Sequence, residues 1–477
     1  MQKDSFYITT TLPYVNADPH IGFALEVVHA DIIARWHRLM GRDVFFNTGT
    51  DEHGIKILRK AQELGVDPQA YVDDYAARFK HLMAMEVLNI DFSNFIRTTD
   101  SKHKEAAQEF WRRCQKNGDI YKKNYKVKYC VGCELEKTDS ELENGHCPLH
   151  PNLEIEIIEE ENYFFKLSNY QKRLLSLYAE RSDFVLPEPQ FVEVKKFVER
   201  GLQDFSISRL KEKMPWGVFV PGDDAHVMYV WFDALVNYIS AIGWPDDMGR
   251  FEKWWPVTQL AGKDQVRQQV VMWQAMLFSA GILPSRQVII HGFITSGGQK
   301  MSKSLGNVVN PLEIVEKYGT DPLRYFLARH MHPFDDSDFS EGVFKEAYNA
   351  NLANGLGNVT ARIMRLAEDN LSTPIEHPAP KGFLGEYMKA IESFELNRAM
   401  DVVWSEIKKL DERITREEPF KLIKSNPEAG RVLIAELVMG LYQIGRMLNP
   451  FMPETSQKIK ETILQNKKPE TLFPRKD

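Results

Sequence analysis

Three of the four cysteines stand within eighteen positions, as Cys130-x2-Cys133 followed by Cys147, and His150 follows Cys147 at the same two-residue gap. Two short Cys/His pairs, with Gly132 and Gly145 to permit tight turns, offer the tetrahedral sulfur and nitrogen set that Zn2+ prefers. A closed set of four ligands leaves no position for a reacting water, so one structural zinc is expected. In a chain with so few cysteines the pattern is metal spacing and not a disulfide framework. Cys114 lies outside it and is expected in a helix core. A second chemistry is suggested by Pro19-His20-Ile21-Gly22-Phe23, placed where a loop becomes a helix. Free backbone N–H groups and the helix dipole favour phosphate there, and Gly22 lets a purine approach the backbone. Lys300-Met301-Ser302-Lys303-Ser304 follows Gly297-Gly298 and precedes Gly306, a loop able to present two ammonium groups to a polyphosphate. Either run alone is weak, since a helix-cap histidine and a solvated basic stretch are common. The pair is far more specific.

These residues need a scaffold. The periodicity predicts a strand over Phe6–Thr10, a turn-rich loop over Pro13–Pro19 and a helix over Ile21–Met40. A second strand over Val44–Phe46, a loop over Gly49–Gly54 and a helix over Ile55–Leu64 continue the alternation of a doubly wound parallel sheet. From Tyr121 to Pro221 the pattern breaks into the metal-like cluster, a charged alternating run (Leu153–Leu167) and helical spacing, which reads as an inserted domain. α/β character returns around Val227–Trp231, Thr258–Ala261 and Val288–His291, so the insertion splits the catalytic sheet. From Ala350 to Leu472 helical periodicity dominates, broken at Thr373–Gly382 and Pro450–Pro453. The expected organisation is a Rossmann-like α/β domain in two halves (1–120 and 222–295), the zinc-knuckle insertion (121–221), a lysine-loop region (296–349) and an α-helical bundle (350–477).

A length of 477 residues with 43% hydrophobic content supports several cores. The formal net charge of -7 argues against a protein that coats nucleic acid indiscriminately. Any RNA contact must use local patches. The N-terminus leads into no signal-like segment, and Val270–Leu283, the longest nearly uncharged apolar stretch, is shorter than the ~20 residues a bilayer span needs. A cytoplasmic protein without membrane contact is expected. Gly49–Ile55 has the glycine spacing of a phosphate-binding Walker loop, but Ile55 occupies the position of the essential lysine.

The two basic and histidine motifs resemble HIGH and KMSKS of the class I aminoacyl-tRNA synthetases, in that order and near that separation. The blocks YITTTLPYVN (7–16), GTDEHG (49–54), YVWFDALVNY (229–238), GKD (262–264) and HGFITSGGQKMSKSLGNV (291–308) resemble successive blocks of the methionyl-tRNA synthetases. The resemblance covers most of the chain from residue 6 to about 330. It implies activation of L-methionine with ATP and transfer to tRNA(Met), with Mg2+ accompanying ATP. His20, Lys300 and Lys303 are then the catalytic candidates. ATP would be bound by these three with Pro19, Gly22, Gly262, Asp264 and His291. Leu12, Tyr14, Trp231, Leu235 and Tyr238 match positions lining the family's methionine pocket, where aromatic and aliphatic side chains suit a polarisable thioether. Asp51 matches the acidic residue used for the substrate ammonium, and Arg209 a basic residue that organises the site near it. A similar zinc knuckle occurs in one subgroup of the family.

Two departures fall inside the implied site: Phe23 replaces the second histidine of HIGH, and Gln269 aligns with a histidine beside the methionine pocket. Phe23 cannot donate to a phosphate or ribose oxygen. Synthetases for valine, isoleucine or leucine carry a much longer editing insertion than 121–221 can hold. A non-catalytic RNA-binding paralogue is disfavoured by retention of both lysines in Lys300–Ser304. For the anticodon, Asn358 and Arg362 share one helix face and match an Asn/Arg pair of the family, while Phe420 stands where the family has a stacking tryptophan. The chain ends without the small RNA-binding barrel some members append, so a monomer is expected.

Overall fold

The computed structural model describes residues 4–137, 139–301, 307–375 and 382–477. The chain forms two compact units. The first comprises Met1–Asp18, Val44–His81 and Phe92–Ile290. Its framework is a six-stranded sheet in the order Asn94–Arg97, Asp43–Thr50, Ser5–Thr9, Thr258–Gly262, Gln287–His291, Val185–Leu186. Ser5–Thr9 pairs in parallel with Thr258–Gly262, and Asp43–Thr50 with Asn94–Arg97. Thr258–Gly262 is buried along its whole length, as a strand covered on both faces should be. Strand order reverses on either side of Ser5–Thr9. In such sheets ligands bind beyond the carboxyl ends of the strands at the reversal, and Tyr14, Asp51 and Gly262 lie at those ends. Gly49 is required by sheet spacing, since a Cβ there would stand 1.8 Å from the Ile96 carbonyl oxygen.

The expected strand around Val44–Phe46 is longer, Asp43–Thr50, because the polar Asn47, Thr48 and Thr50 are buried in the sheet with hydrogen-bond partners. One reading needs correction. Val227–Trp231 does not contribute to the parallel sheet. Asp223–Met228 is the middle strand of a separate antiparallel sheet with Phe219–Val220 and Ser208–Leu210, and Val230–Ala234 is a short helix. A run of apolar residues marks burial and does not say which sheet does the burying. Cys130 ends a strand of a four-stranded antiparallel sheet in the order Leu135–Lys137, Ile120–Cys130, Glu156–Phe165, Phe205–Ser206, Cys133 lies in the turn that follows, and Cys147 and His150 form an isolated bridge in the loop beyond.

The second unit comprises Pro19–Asp43, Leu82–Asp91 and His291–Asp477. The helix Ile21–Leu39 is held by Arg324, a fully buried side chain. Its guanidinium donates to Asp31 Oδ2 (2.7 Å) and to the carbonyls of Leu88 (2.9 Å), Asn89 (3.3 Å), Pro450 (3.0 Å) and Phe451 (2.9 Å). Ile294–Ser296 and Gln299–Lys300 form a hairpin turned by Gly297 and Gly298, both at positive φ (64° and 71°), the backbone a two-residue hairpin turn demands. Among the described residues from 358 onward the elements are helices: Asn358–Asn370, Gly385–Glu392, Leu396–Glu417, Pro419–Ser425, Pro427–Leu448 and Pro453–Gln465. The expected break at Pro450–Pro453 follows the helix Pro427–Leu448 and ends at the first residue of Pro453–Gln465, while most of the one at Thr373–Gly382 lies outside the described residues.

Candidate active site and metal knuckle

In the first unit, Tyr14 and Asp51 meet through a parallel β-bridge just beyond their strands. Asp51 donates its N–H to the Pro13 carbonyl (2.9 Å) and accepts from the Val15 N–H (3.3 Å). Its carboxylate is buried and Oδ1 has no hydrogen-bond partner. Burial first, then the charges of Asp233 and Glu134, raise the Asp51 carboxyl well above the ordinary carboxylate range. A buried, unpaired oxygen costs free energy. It is a ready receptor for an ammonium group, which would restore the charged form. Asp233 lies nearby on the helix Val230–Ala234, bonded to His53 Nδ1 (2.9 Å), and burial pushes that imidazole down to about 3, so it is neutral. Glu52 is taken up by Arg97, which donates to both its oxygens (2.7 and 2.9 Å). Of this acidic group Asp51 alone matches the substrate-binding expectation.

Tyr14 donates to Glu134 Oε1 (2.8 Å), and the Trp231 indole donates to the Glu134 carbonyl (3.3 Å). Tyr14, Asp51 and Trp231 are therefore brought to one neighbourhood. Leu12 and Trp231 pack on the main hydrophobic cluster, in which Leu235 and Tyr238 are fully buried beside Trp273. Gln269 is also buried, on a π-helical turn (Arg267–Met272), and its side-chain oxygen accepts from Gln259 (2.8 Å). Arg209 stacks over Tyr229 (4.2 Å) and donates to Ser206 Oγ and the Ser208 carbonyl, both at 2.8 Å. Gly262 ends its strand, buried, and Asp264 is exposed on the short turn that follows.

The knuckle ligands converge. Sγ of Cys130, Cys133 and Cys147 and the His150 ring all offer a ligand atom within 4.8 Å of one another. Cys133 Sγ lies 3.4 Å from Cys147 Sγ and 3.3 Å from His150 Nδ1, and Cys130 Sγ 3.8 Å from His150 Nδ1. Tetrahedral zinc with ordinary Zn–S and Zn–N bonds sets these edges at about 3.6–3.8 Å. The donor set and its spacing fit the ion. A Cβ at Gly132 would stand 2.3 Å from the His150 ring, so only glycine lets the imidazole close on the thiols.

In the second unit, His20 caps the helix Ile21–Leu39, its Nδ1 accepting from the Gly22 N–H (3.0 Å). A Cβ at Gly22 would meet the His20 ring at 2.8 Å. Pro19 immediately precedes the cap, and the Ile21 N–H donates to the Val309 carbonyl (3.1 Å), just past the lysine loop. His291 Nε2 lies 2.9 Å from Glu26 Oε2, which fixes one face of that ring. The Lys300 backbone pairs with Thr295. The Lys300 side chain and residues 302–306, Lys303 among them, lie outside the described residues. In the helical region Asn358 is exposed, Arg362 pairs with Asp411, and Phe420 is 46% exposed on the helix Pro419–Ser425. Arg362 is thus occupied by an acid of a neighbouring helix, and Phe420 is free of the core.

Two residues escaped the sequence reading. Glu134 follows directly on Cys133, a position that looks like part of the knuckle and nothing else. Gly54 ends GTDEHG with φ 108° and ψ 169°. The signal was present in the composition of that block, but only coordinates show that a Cβ at Gly54 would stand 2.2 Å from the Tyr14 hydroxyl.

A family profile described as tRNA synthetases class I (M) matches residues 6–156 and 136–364. The methionine–tRNA ligase of Thermotoga maritima is 41% identical over 97% of this chain and 76% of its own length. That of Nostoc sp. is 41% identical over 97% of this chain and 90% of its own. Among solved structures, Mycobacterium tuberculosis methionyl-tRNA synthetase in complex with methionyl-adenylate aligns with a TM-score of 0.89 at 36% identity, covering 96% of this chain and 93% of that one. With the profile matched through residue 364 and relatives and fold agreeing over nearly the whole length, the chain belongs to the methionyl branch of the class I tRNA synthetases.

Proposed function

We infer that the chain activates L-methionine with ATP to methionyl-adenylate and transfers the methionyl group to the terminal ribose of tRNA(Met). The observation that carries this is the buried Oδ1 of Asp51 without a hydrogen-bond partner, its backbone bridged to Tyr14, with Trp231 held to the same Glu134 as Tyr14: a carboxyl group that an ammonium would ionise, near aromatic rings that suit a thioether. Leu12, Leu235 and Tyr238 are assigned to the apolar wall of that pocket and Gln269 to its polar lining, which the packing of Leu12, Leu235 and Tyr238 in one hydrophobic cluster supports. In the first step the methionine carboxylate attacks the α-phosphate of ATP and pyrophosphate leaves. In the second the tRNA hydroxyl takes the acyl group and AMP leaves. Neither step requires a protein nucleophile. The rate gain comes from positioning and from stabilising charge on the phosphates. Pro19, His20, the backbone at Gly22, and His291 serve the nucleotide, as do Gly262 and Asp264, while Lys300 and Lys303 serve the polyphosphate. Mg2+ accompanying ATP would supply neutralisation of phosphate charge.

The zinc held by Cys130, Cys133, Cys147 and His150 folds the knuckle and takes no part in bond making. Segment 350–477 is the anticodon-binding part. Exposed Phe420 offers a stacking face and Asn358 and Arg362 offer donors to splayed bases, so Arg362 leaves Asp411 for RNA when tRNA binds. We place the protein in the cytoplasm as a monomer. Among the described residues no helix is long and apolar enough to cross a membrane. The deciding assay is methionine-dependent exchange of pyrophosphate into ATP, with leucine, isoleucine and valine as controls. Exchange driven equally by another of these, or by none, refutes the reading.

A further inference from the structure

We propose that Glu134 is a positioning residue that fastens the metal knuckle to the methionine pocket, so that order in the knuckle sets the placement of Tyr14 and Trp231. The proposal rests on the reading of those two residues as pocket residues. Glu134 immediately follows the ligand Cys133 and is buried, with a left-handed backbone (φ 52°). That conformation is unusual for a residue with a side chain. Oε1 accepts from the Tyr14 hydroxyl (2.8 Å) and from the Lys56 N–H (3.2 Å), at the start of the helix that follows GTDEHG. Oε2 accepts from the Tyr129 hydroxyl (3.3 Å), and the main-chain carbonyl accepts from the Trp231 indole (3.3 Å). One residue therefore holds two pocket aromatics through two different groups. Neither tie can be kept if the knuckle turn is displaced.

The turn itself has little freedom. The Cys133 N–H donates to Cys130 Sγ (3.4 Å), the hydrogen bond that shapes a Cys-x2-Cys turn around a metal. Lys56 reaches back through its ammonium to the Gly132 carbonyl. Binding energy at a structural metal site is folding energy for the segment that supplies the ligands. That energy is transmitted to Tyr14 and Trp231 because Glu134 is covalently next to a ligand and hydrogen-bonded to both. The consequence for the reaction is specific: methionine affinity depends on the strut, and nucleotide affinity does not.

The test measures methionine and ATP KM by pyrophosphate exchange, methionine binding by tryptophan fluorescence, and zinc per chain, for Glu134→Ala, Glu134→Gln, Tyr14→Phe, Tyr14→Ala and the double variant Glu134→Ala/Tyr14→Phe. Loss of a charge-assisted hydrogen bond predicts a rise of about tenfold or more in methionine KM for Glu134→Ala, with ATP KM and zinc content unchanged. Glu134→Gln keeps an acceptor oxygen and is expected to lie within about threefold of the parent. The double variant is expected to be no worse than the poorer single, because both remove one contact. If Tyr14→Ala weakens methionine binding and Glu134→Ala does not, the strut is wrong while the pocket stands. Unchanged methionine binding in Tyr14→Ala overturns the pocket and the strut together. Zinc loss from Glu134→Ala as complete as from Cys147→Ala also overturns it, since Glu134 would then belong to the fold of the knuckle alone.

Discussion

Replacing Gly54 with alanine is expected to damage methionine binding far more than its single methyl group suggests. Gly54 has φ 108° and ψ 169°, a backbone region essentially restricted to glycine, and forcing a side chain into it costs about 1–3 kcal/mol. The added Cβ would stand 2.2 Å from the Tyr14 hydroxyl and 3.1 and 3.2 Å from the Glu134 carboxylate oxygens. To restore ordinary contact the hydroxyl must retreat by about 1 Å, a displacement that breaks its 2.8 Å bond to Glu134. A hydrogen bond to a charged group contributes about 1.5–3 kcal/mol, so methionine KM should rise by about 10- to 100-fold. ATP KM should hold, because no nucleotide candidate is displaced. Pyrophosphate exchange with methionine varied at saturating ATP, and the converse, separates the two constants. Thermal unfolding measures the strain independently. A methionine KM within twofold of the parent would refute both the packing argument and the place of Tyr14 in the pocket.

Cys147→Ala should remove zinc from the purified protein and increase amide exchange across Ile120–Phe165 while helices from residue 358 onward keep their protection; unchanged metal content by elemental analysis would count against the knuckle. Arg324→Met should destabilise the protein by about 3–5 kcal/mol in chemical unfolding, since it leaves the buried Asp31 carboxylate with one cation fewer and takes the Arg324 donor from the Leu88, Pro450 and Phe451 carbonyls, while Asn89 keeps Arg35. Burial lowers His29 to about 4 from the 6.5 of an exposed imidazole. The unfolded chain therefore binds the extra proton first, and stability present above pH 6.5 is lost as pH falls towards 4, by about 2 kcal/mol between pH 7.5 and 5. His29→Gln should lose that much less over the same interval, and an unaltered pH slope would show that His29 is not the group responsible. Phe420→Ala should lower tRNA charging by the ~1–3 kcal/mol of one stacked base with pyrophosphate exchange preserved; a parallel fall in both activities would place Phe420 in the fold and not on RNA.

Where the information was local, it could be read from the chain. The helices Ile21–Leu39 and Ile55–Leu64, the break at Pro450–Pro453, and the convergence of Cys130, Cys133, Cys147 and His150 are set by periodicity, turn chemistry and spacing within a few residues. Val227–Trp231 went to another sheet than expected because apolar runs encode burial without naming a partner. Phe420 illustrates the same limit from the other side: an aromatic after a proline looks like core or surface equally well, and only its 46% exposure takes it out of the core. Residue types and their local spacing alone set which chemistry could be proposed: thiols and an imidazole for a metal, a cap histidine and a lysine run for phosphate, an acid and aromatics for an amino acid. Tertiary structure alone decided which of these meet. Glu134 and Tyr14 are 120 positions apart, yet share a hydrogen bond because a knuckle turn and a strand end arrive at the same place. A contact between residues so distant in the chain depends on every intervening element and leaves no periodic trace in the sequence, whereas helices and metal pairs do.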